Sequence, residues 1–189
     1  MQEEKQKEHY FCISSCMRKR LLFWLIYTIC IFIIYLLVYP QPSERQEVGI
    51  KQSTFKLIKR FEGVSKTPYD DGFGNYTIGV GHHIKPDEAH LYYSTLTAKQ
   101  VDALLKRDMV PCERVIKDEV SHPLTQGQFD ALMSLCFNIG KDNFARSEVM
   151  RHLNRGNYHK AAQAMLNWNR PQELIPRRKH EAKLFLNGA

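Results

Sequence analysis

A segment of 19 residues without a single charge, residues 21–39, constrains the fold of this chain most strongly. Thirteen of these residues are Leu, Ile, Phe or Val, and none is Gly, Ala or Pro. As a helix the segment would be roughly 28 Å long, which is close to the hydrocarbon thickness of a bilayer. All of its faces would be apolar, whereas a helix at the surface of a small domain has a polar face. We therefore predict a transmembrane helix, with a buried core helix as the alternative.

Basic residues at 18–20 directly precede this segment, and such residues favour the cytoplasmic side of a membrane. We expect residues 1–20 to be a cytoplasmic tail and the chain after the span to lie in the periplasm or another extracytoplasmic space. The span is too long for a cleavable signal peptide, and no A-x-A-like site follows it. The sequence thus predicts an uncleaved signal anchor of a single-pass inner membrane protein. A polar linker at residues 40–52 and a domain at residues 53–189 follow.

The domain carries an excess of positive charge. Residues 41–189 contain 22 Lys and Arg against 17 Asp and Glu, a net charge of +5. A basic domain suits an anionic partner, such as nucleic acid or the bacterial cell wall, although a solvated surface can carry the same excess. The chain has no base-stacking or recognition motif for nucleic acid. We therefore expect the inner membrane and the cell wall as partners, and no nucleic acid.

The cysteines of the chain match no zinc site. Cys12 and Cys16 fall in the predicted tail, and Cys30 falls in the predicted span. Cys112 and Cys136 fall on apolar faces of predicted helices, where cysteine packs as a small core residue. A disulfide between Cys112 and Cys136 is the alternative, because the domain is expected outside the cytoplasm.

The domain begins with helical spacing of its apolar residues and then changes to the alternation of a strand. The spacing predicts a helix over residues 53–62, with Gly63 as its C-cap. The sequence YDDGFGNYTIGV then combines turn formers with alternating apolar residues, which predicts a β-hairpin with Thr77 facing away from the apolar side. From residue 97 onward the pattern is helical. We therefore predict an α+β fold with a small β-hairpin lobe and a larger helical lobe.

Capping boxes predict where two long helices of the second lobe begin. Thr97 with Gln100 begins the first helix, and Thr125 with Gln128 begins the second. Pro111 is expected to kink the first of these helices. Shorter helices are predicted near residues 146–155, 158–168 and 177–187.

Two carboxyl groups stand close together in the sequence at the junction of helix and hairpin. Glu62 falls in the last turn of the predicted helix, where the helix dipole opposes a negative charge, and Asp71 falls in the next turn. Two carboxyl groups on opposite sides of a glycosidic bond can protonate the leaving oxygen and activate a water molecule. The hydroxyl of Thr77 could hold that water. Acidic residues are common in surface turns, so an ordinary solvated turn is the alternative.

The spacing of Glu62, Asp71 and Thr77 within FEG…PYDDGFGNYTIGVGH resembles the catalytic segment of phage-type lysozymes, glycoside hydrolase family twenty-four. Three later segments resemble the helical segments of that family, in the same order: PLTQGQFDALMSLCFNIG (123–140), GNYHKAAQAMLNW (156–168) and IPRRKHEAKLFLNG (175–188). The resemblance covers residues 53–188. It implies a lysozyme-like α+β fold, here preceded by the predicted transmembrane helix.

The resemblance implies a muramidase that hydrolyses β-1,4 bonds between N-acetylmuramic acid and N-acetylglucosamine in peptidoglycan. The family is inverting and uses no metal or organic cofactor. Carried over to this chain, Glu62 matches the general acid, Asp71 the carboxylate that activates water, and Thr77 the hydroxyl that positions the water. Asp70 is the rival of Asp71, but only Asp71 has the spacing of the family.

Further positions carry over with supporting roles. The residues that match substrate contacts or the lining of the cleft are His83, Phe137, Asn138 and Ser147. His82 is expected to be structural. Arg177 matches an arginine near the acid, although Arg178 could serve after a shift of one residue.

These inferences lead to a membrane-anchored muramidase with a monomeric catalytic domain, acting as an endolysin or in local remodelling of the cell wall. The alternative is a catalytically inactive lysozyme-like module that binds peptidoglycan. The intact trio of Glu62, Asp71 and Thr77 favours the enzyme, because a module that only binds has no need of it.

Overall fold

The computed structural model describes residues 24–25, 27–33, 47–70, 72 and 74–188. The chain divides into two compact units, residues 1–46 and residues 47–189. In the first unit, residues 24–25 and 27–33 are helical and exposed. Within the described residues, no helix is long and apolar enough to cross a membrane. More than half of the predicted span at residues 21–39 lies outside the described residues.

The second unit has the predicted α+β composition, with a small sheet followed by helices. The sheet is antiparallel in the order β1–β2–β3, with β1 at Ser65–Asp70, β2 at Tyr76–Gly79 and β3 at His82–His83. The α-helices are α1 (Gln52–Glu62), α2 (Ala98–Glu119), α3 (Gln126–Ile139), α4 (Lys141–Ala145), α5 (Glu148–Leu153), α6 (Tyr158–Met165) and α7 (Ile175–Asn187). Short 3-10 helices cover Pro86–Tyr93 and Gln172–Leu174.

Local capping explains where the principal helices begin and end. Thr97 and Thr125 form the predicted capping boxes at the starts of α2 and α3, and each side chain accepts a hydrogen bond from the glutamine amide three residues later. Gly63 ends α1 with a φ of 76°, a backbone conformation that favours glycine. The helix α2 continues as one element through Pro111.

The core of the second unit is built around α3. Residues 128–136 of this helix are all buried, because the helices α1, α2, α4 and α7 pack around it. Cys112 of α2 and Cys136 of α3 form a disulfide, with their Cα atoms 5.9 Å apart. Of the two alternatives for this pair, the structure therefore contains the disulfide rather than two core thiols.

The compact unit begins before the predicted boundary at residue 53. Val48 and Ile50 pack against the core. Between them, the carbonyl of Gly49 accepts a hydrogen bond of 2.8 Å from Gln126 Nε2. The end of the predicted linker is therefore part of the folded unit.

The face of β2 that carries Thr77 lies opposite to the face of Ile78 in the alternation of the strand, and it is covered by neighbouring residues. Thr77 is only 2% exposed, whereas its neighbour Tyr76 is 46% exposed. Thr77 lies in the central strand, opposite Tyr69 on one side and His83 on the other. Directly opposed residues of an antiparallel sheet project from the same face, so Tyr69 and His83 flank Thr77 and help to bury it. The turn pattern of the sequence predicted the hairpin but not which face of it would be covered.

Candidate active site

Glu62 is the last residue of α1, and it meets an arginine from the other end of the domain. Arg177 of α7 donates a hydrogen bond of 2.7 Å from Nη1 to Glu62 Oε1. The side chain of Glu62 is 21% exposed and that of Arg177 is 5% exposed, so the acid reaches solvent while its partner does not. The guanidinium of Arg177 also lies over the ring of Phe61, 5.0 Å from its centroid. Of the two arginines considered from the sequence, Arg177 is the one that contacts Glu62.

A buried carboxylate that the sequence analysis did not single out holds both arginines. Glu181 Oε1 accepts hydrogen bonds from Arg177 Nε at 2.9 Å and from Ser134 Oγ at 2.6 Å. Glu181 Oε2 accepts one from Arg178 Nη1 at 2.5 Å. The spacing of four residues from Arg177 to Glu181 on one helix was the available signal, since such residues are neighbours on a helix face.

The hairpin brings together two of the predicted site residues. Thr77 Oγ1 lies 3.2 Å from His83 Nδ1, across the pairing of β2 with β3. His83 itself is exposed. Asp71, the predicted carboxylate partner of Glu62, lies outside the described residues. The neighbouring Asp70 is exposed and accepts a hydrogen bond of 2.8 Å from the amide of Gly72, an ordinary role for aspartate in a turn.

His82 is buried in a charged cluster that joins the sheet to α2. Its Nδ1 lies 2.9 Å from Asp108 Oδ2 and its Nε2 lies 2.8 Å from Glu88 Oε2. Arg107 pairs with Glu88 as well. Burial acts to raise the pKa of Glu88, but hydrogen bonds from His82, Arg107 and the amide of Lys85 outweigh it and lower the pKa to about 2. Burial raises the pKa of Asp108, against the opposing effect of His82. These contacts tie His82 to α2 and to the 3-10 helix at Pro86–Tyr93, and its structural role stays a prediction.

The remaining predicted site residues lie near the end of α3 and at the start of α5. Phe137 and Asn138 are half-buried near the end of α3, and the side-chain oxygen of Asn138 accepts a hydrogen bond from Arg178 Nη2. Ser147 is 6% exposed and caps α5 by accepting a hydrogen bond from the amide of Met150. Ser147 is thus held by its capping contact and Asn138 by Arg178, and contact of these residues with substrate stays a prediction.

The fold and this site define a glycoside hydrolase of the lysozyme class, and comparisons with known proteins agree. The family model for phage lysozyme matches residues 59–181. The endolysin of Salmonella phage P22 is 46% identical over 143 residues, which cover 73% of this chain and 98% of that protein. The chain belongs to the phage lysozyme family.

Two further proteins place the chain within a wider set of relatives. The solved muramidase domain of SpmX from Asticaccaulis excentricus is 39% identical, with a TM-score of 0.65 over 74% of this chain and 99% of that domain. The SAR-endolysin of Enterobacteria phage P21 is 30% identical over 132 residues, which cover 67% of this chain and 78% of that protein. The similarity therefore extends to phage and non-phage proteins.

Proposed function

We propose that this lysozyme cleaves the β-1,4 bond between N-acetylmuramic acid and N-acetylglucosamine in peptidoglycan by an inverting acid and base mechanism. Glu62 protonates the leaving oxygen, and Asp71 activates the attacking water. The observation that carries the proposal is the placement of Glu62, whose partly exposed side chain is held at the end of α1 by the buried Arg177. An acid in this position is available to substrate yet fixed in orientation.

The end of α1 and the guanidinium of Arg177 together fix where the carboxyl group of Glu62 lies. A general acid must lie within reach of the leaving oxygen to donate its proton. Membership of the phage lysozyme family supports this role, because Glu62 stands at the matching position of its catalytic segment.

The sheet supports the second half of the reaction. Thr77 holds its hydroxyl group on the face that also carries His83. A hydroxyl fixed by a neighbouring ring can orient a water molecule for attack by a nearby carboxylate. We assign this positioning role to Thr77, and we assign contact with the glycan to the exposed His83.

We further propose that residues 21–39 anchor the enzyme in the inner membrane, with the catalytic domain outside the cytoplasm as a monomer. The uncharged apolar sequence and the basic residues before it support this. The similarity to a SAR-endolysin of phage P21 also supports an anchored enzyme. Such an enzyme would act as an endolysin or would open the wall close to the membrane. Proteinase digestion of sealed spheroplasts would test the orientation, since only an external domain would be degraded.

The competing function is an inactive module that binds peptidoglycan. The test uses the full chain in detergent with purified peptidoglycan, beside Glu62→Gln, and identifies the soluble fragments by mass spectrometry. Fragments with reducing N-acetylmuramic acid ends from the wild type alone support the muramidase with Glu62 as acid. Binding without fragments from either protein would favour the inactive module. The anomer released first, followed by nuclear magnetic resonance, tests inversion.

A further inference from the structure

Glu181 lies at the centre of a charged network that the predicted mechanism does not use. Its side chain is fully buried, and both of its oxygens are occupied. A buried carboxylate is costly unless its partners compensate for lost hydration. Glu181 has two guanidinium groups and a hydroxyl as partners, so the network is locally complete.

The two arginines bound to Glu181 contact two different residues of the candidate site, Glu62 and Asn138. Arg177 uses Nε for Glu181 and Nη1 for Glu62, so one planar group joins the two carboxylates. Its Nη2 donates to the carbonyl of Ser134 at 2.9 Å, which fixes the plane of the group. Arg178 donates to Glu181, to Asn138 and, at 2.7 Å, to the carbonyl of Trp168.

The charges of this network bear directly on Glu62. Two arginines and one carboxylate, apart from Glu62, carry a net charge of +1. Without the charge of Glu181, the same groups would carry +2, and the ionised form of Glu62 would be favoured more strongly. An ionised Glu62 cannot protonate a leaving group, so excess positive charge would remove the acid at a lower pH.

Other charged groups around Glu62 have separate partners or face other atoms. On α1, Lys59 pairs with Asp102 and Arg60 lies beside the ring of Phe61. From α7, the ring of His180 also packs against Phe61. From α3, Asp130 accepts hydrogen bonds from Thr54 and Gln126. Among the described residues, Arg177 is therefore the cation in direct contact with Glu62.

We propose that Glu181 is a positioning residue for the glycosidase reaction, which fixes Arg177 against the acid and limits the positive charge that the acid experiences. This inference rests on the proposed function, because it takes Glu62 to be the general acid. Glu181 acts through Arg177 and does not contact substrate.

The test compares the pH dependence of lysis in two variants with opposite changes of charge. The full chain in detergent is assayed on purified peptidoglycan at low substrate concentration from about pH 4 to pH 9. In Glu181→Gln the alkaline limb of the profile should move to lower pH by about one unit. In Arg178→Gln, Glu181 is left to neutralise Arg177 alone, and the limb should move to higher pH. Glu113→Gln serves as the control, since it removes a carboxylate from an ion pair with Lys117 that shares no contact with the network.

Opposite movements of the limb support the proposal, because loss of packing would not reverse its sign between the variants. Circular dichroism and thermal melting measure the folded fraction of each variant. If only one variant folds, it still tests the proposal, because the limb of each variant is predicted to move in a stated direction. A limb that stays in place while activity falls with the folded fraction would overturn the proposal. Failure of both variants to fold would also overturn the proposal, because Glu181 would then be needed for folding and not for positioning the acid.

The proposed function itself is tested separately in the same assay. Full activity in Glu62→Gln would refute the assignment of the acid. An inactive Glu62→Gln, together with an unchanged limb in Glu181→Gln, would refute only the positioning role.

Discussion

Replacement of Glu88 by Gln is expected to destabilise the protein in a pH-dependent manner. The pKa of Glu88 is lowered from 4.5 to about 2 in the folded protein. A carboxyl group whose pKa is lower in the folded state contributes stability above its unfolded pKa, and this stability is lost as the pH falls through the folded value. Glutamine resembles the protonated acid in shape and cannot carry the charge. Glu88→Gln therefore removes the charge-dependent contribution and keeps most of the packing.

The size of the effect follows from the two pKa values. Their difference of about 2.5 corresponds to about 3 kcal/mol at pH 7 and to about 1 kcal/mol at pH 3. The side chain of Glu88 is 11% exposed, so solvent screens it little. Asp108 also contacts His82 and compensates for part of the stability lost in Glu88→Gln. The loss calculated for pH 7 is therefore an upper limit.

The measurement is urea unfolding of both proteins at pH 7 and at pH 3. The free energy of unfolding should differ between variant and wild type by about 2 kcal/mol more at pH 7 than at pH 3. Glu113→Gln is the control, because the partly exposed pair of Glu113 with Lys117, four residues apart on one helix, is expected to contribute only about 0.3–0.5 kcal/mol. Equal destabilisation at the two pH values would refute the reasoning, since it would show that Glu88 acts through packing and not through its charge.

The other predictions concern the reaction and the disulfide. Glu62→Gln should lower the rate of lysis by roughly 10²- to 10⁴-fold with the protein still folded, because a general acid contributes about this much. Asp71→Asn should abolish hydrolysis in the same assay while Asp70→Asn remains active, and a fully active Asp71→Asn protein would contradict the assignment of the base. Replacement of Cys112 and Cys136 together by Ala should lower the free energy of unfolding by about 3 kcal/mol, as expected for a closed loop of this length. Urea unfolding would measure this loss, and unchanged stability would contradict the contribution of the crosslink.

The helices and their ends were predictable because the groups that decide them are local. The Thr97 hydroxyl meets an amide three residues away, and Gly63 adopts a backbone conformation that needs no distant partner. The hairpin followed from turn residues in the same way. The burial of Thr77 did not, because it depends on the strands that flank it.

The sequence by itself determined that a glutamate ends the first helix of the domain and that an aspartate and a threonine follow at the spacing of the family. The tertiary structure decided which arginine reaches that glutamate. The contact between Arg177 and Glu62 joins residues 115 positions apart, and no local pattern distinguishes Arg177 from Arg178. Glu181 resolves the choice, because one buried carboxylate binds both arginines and directs them to different partners. The geometry of the acid is therefore a property of helix packing, although its position in the chain is a property of the sequence.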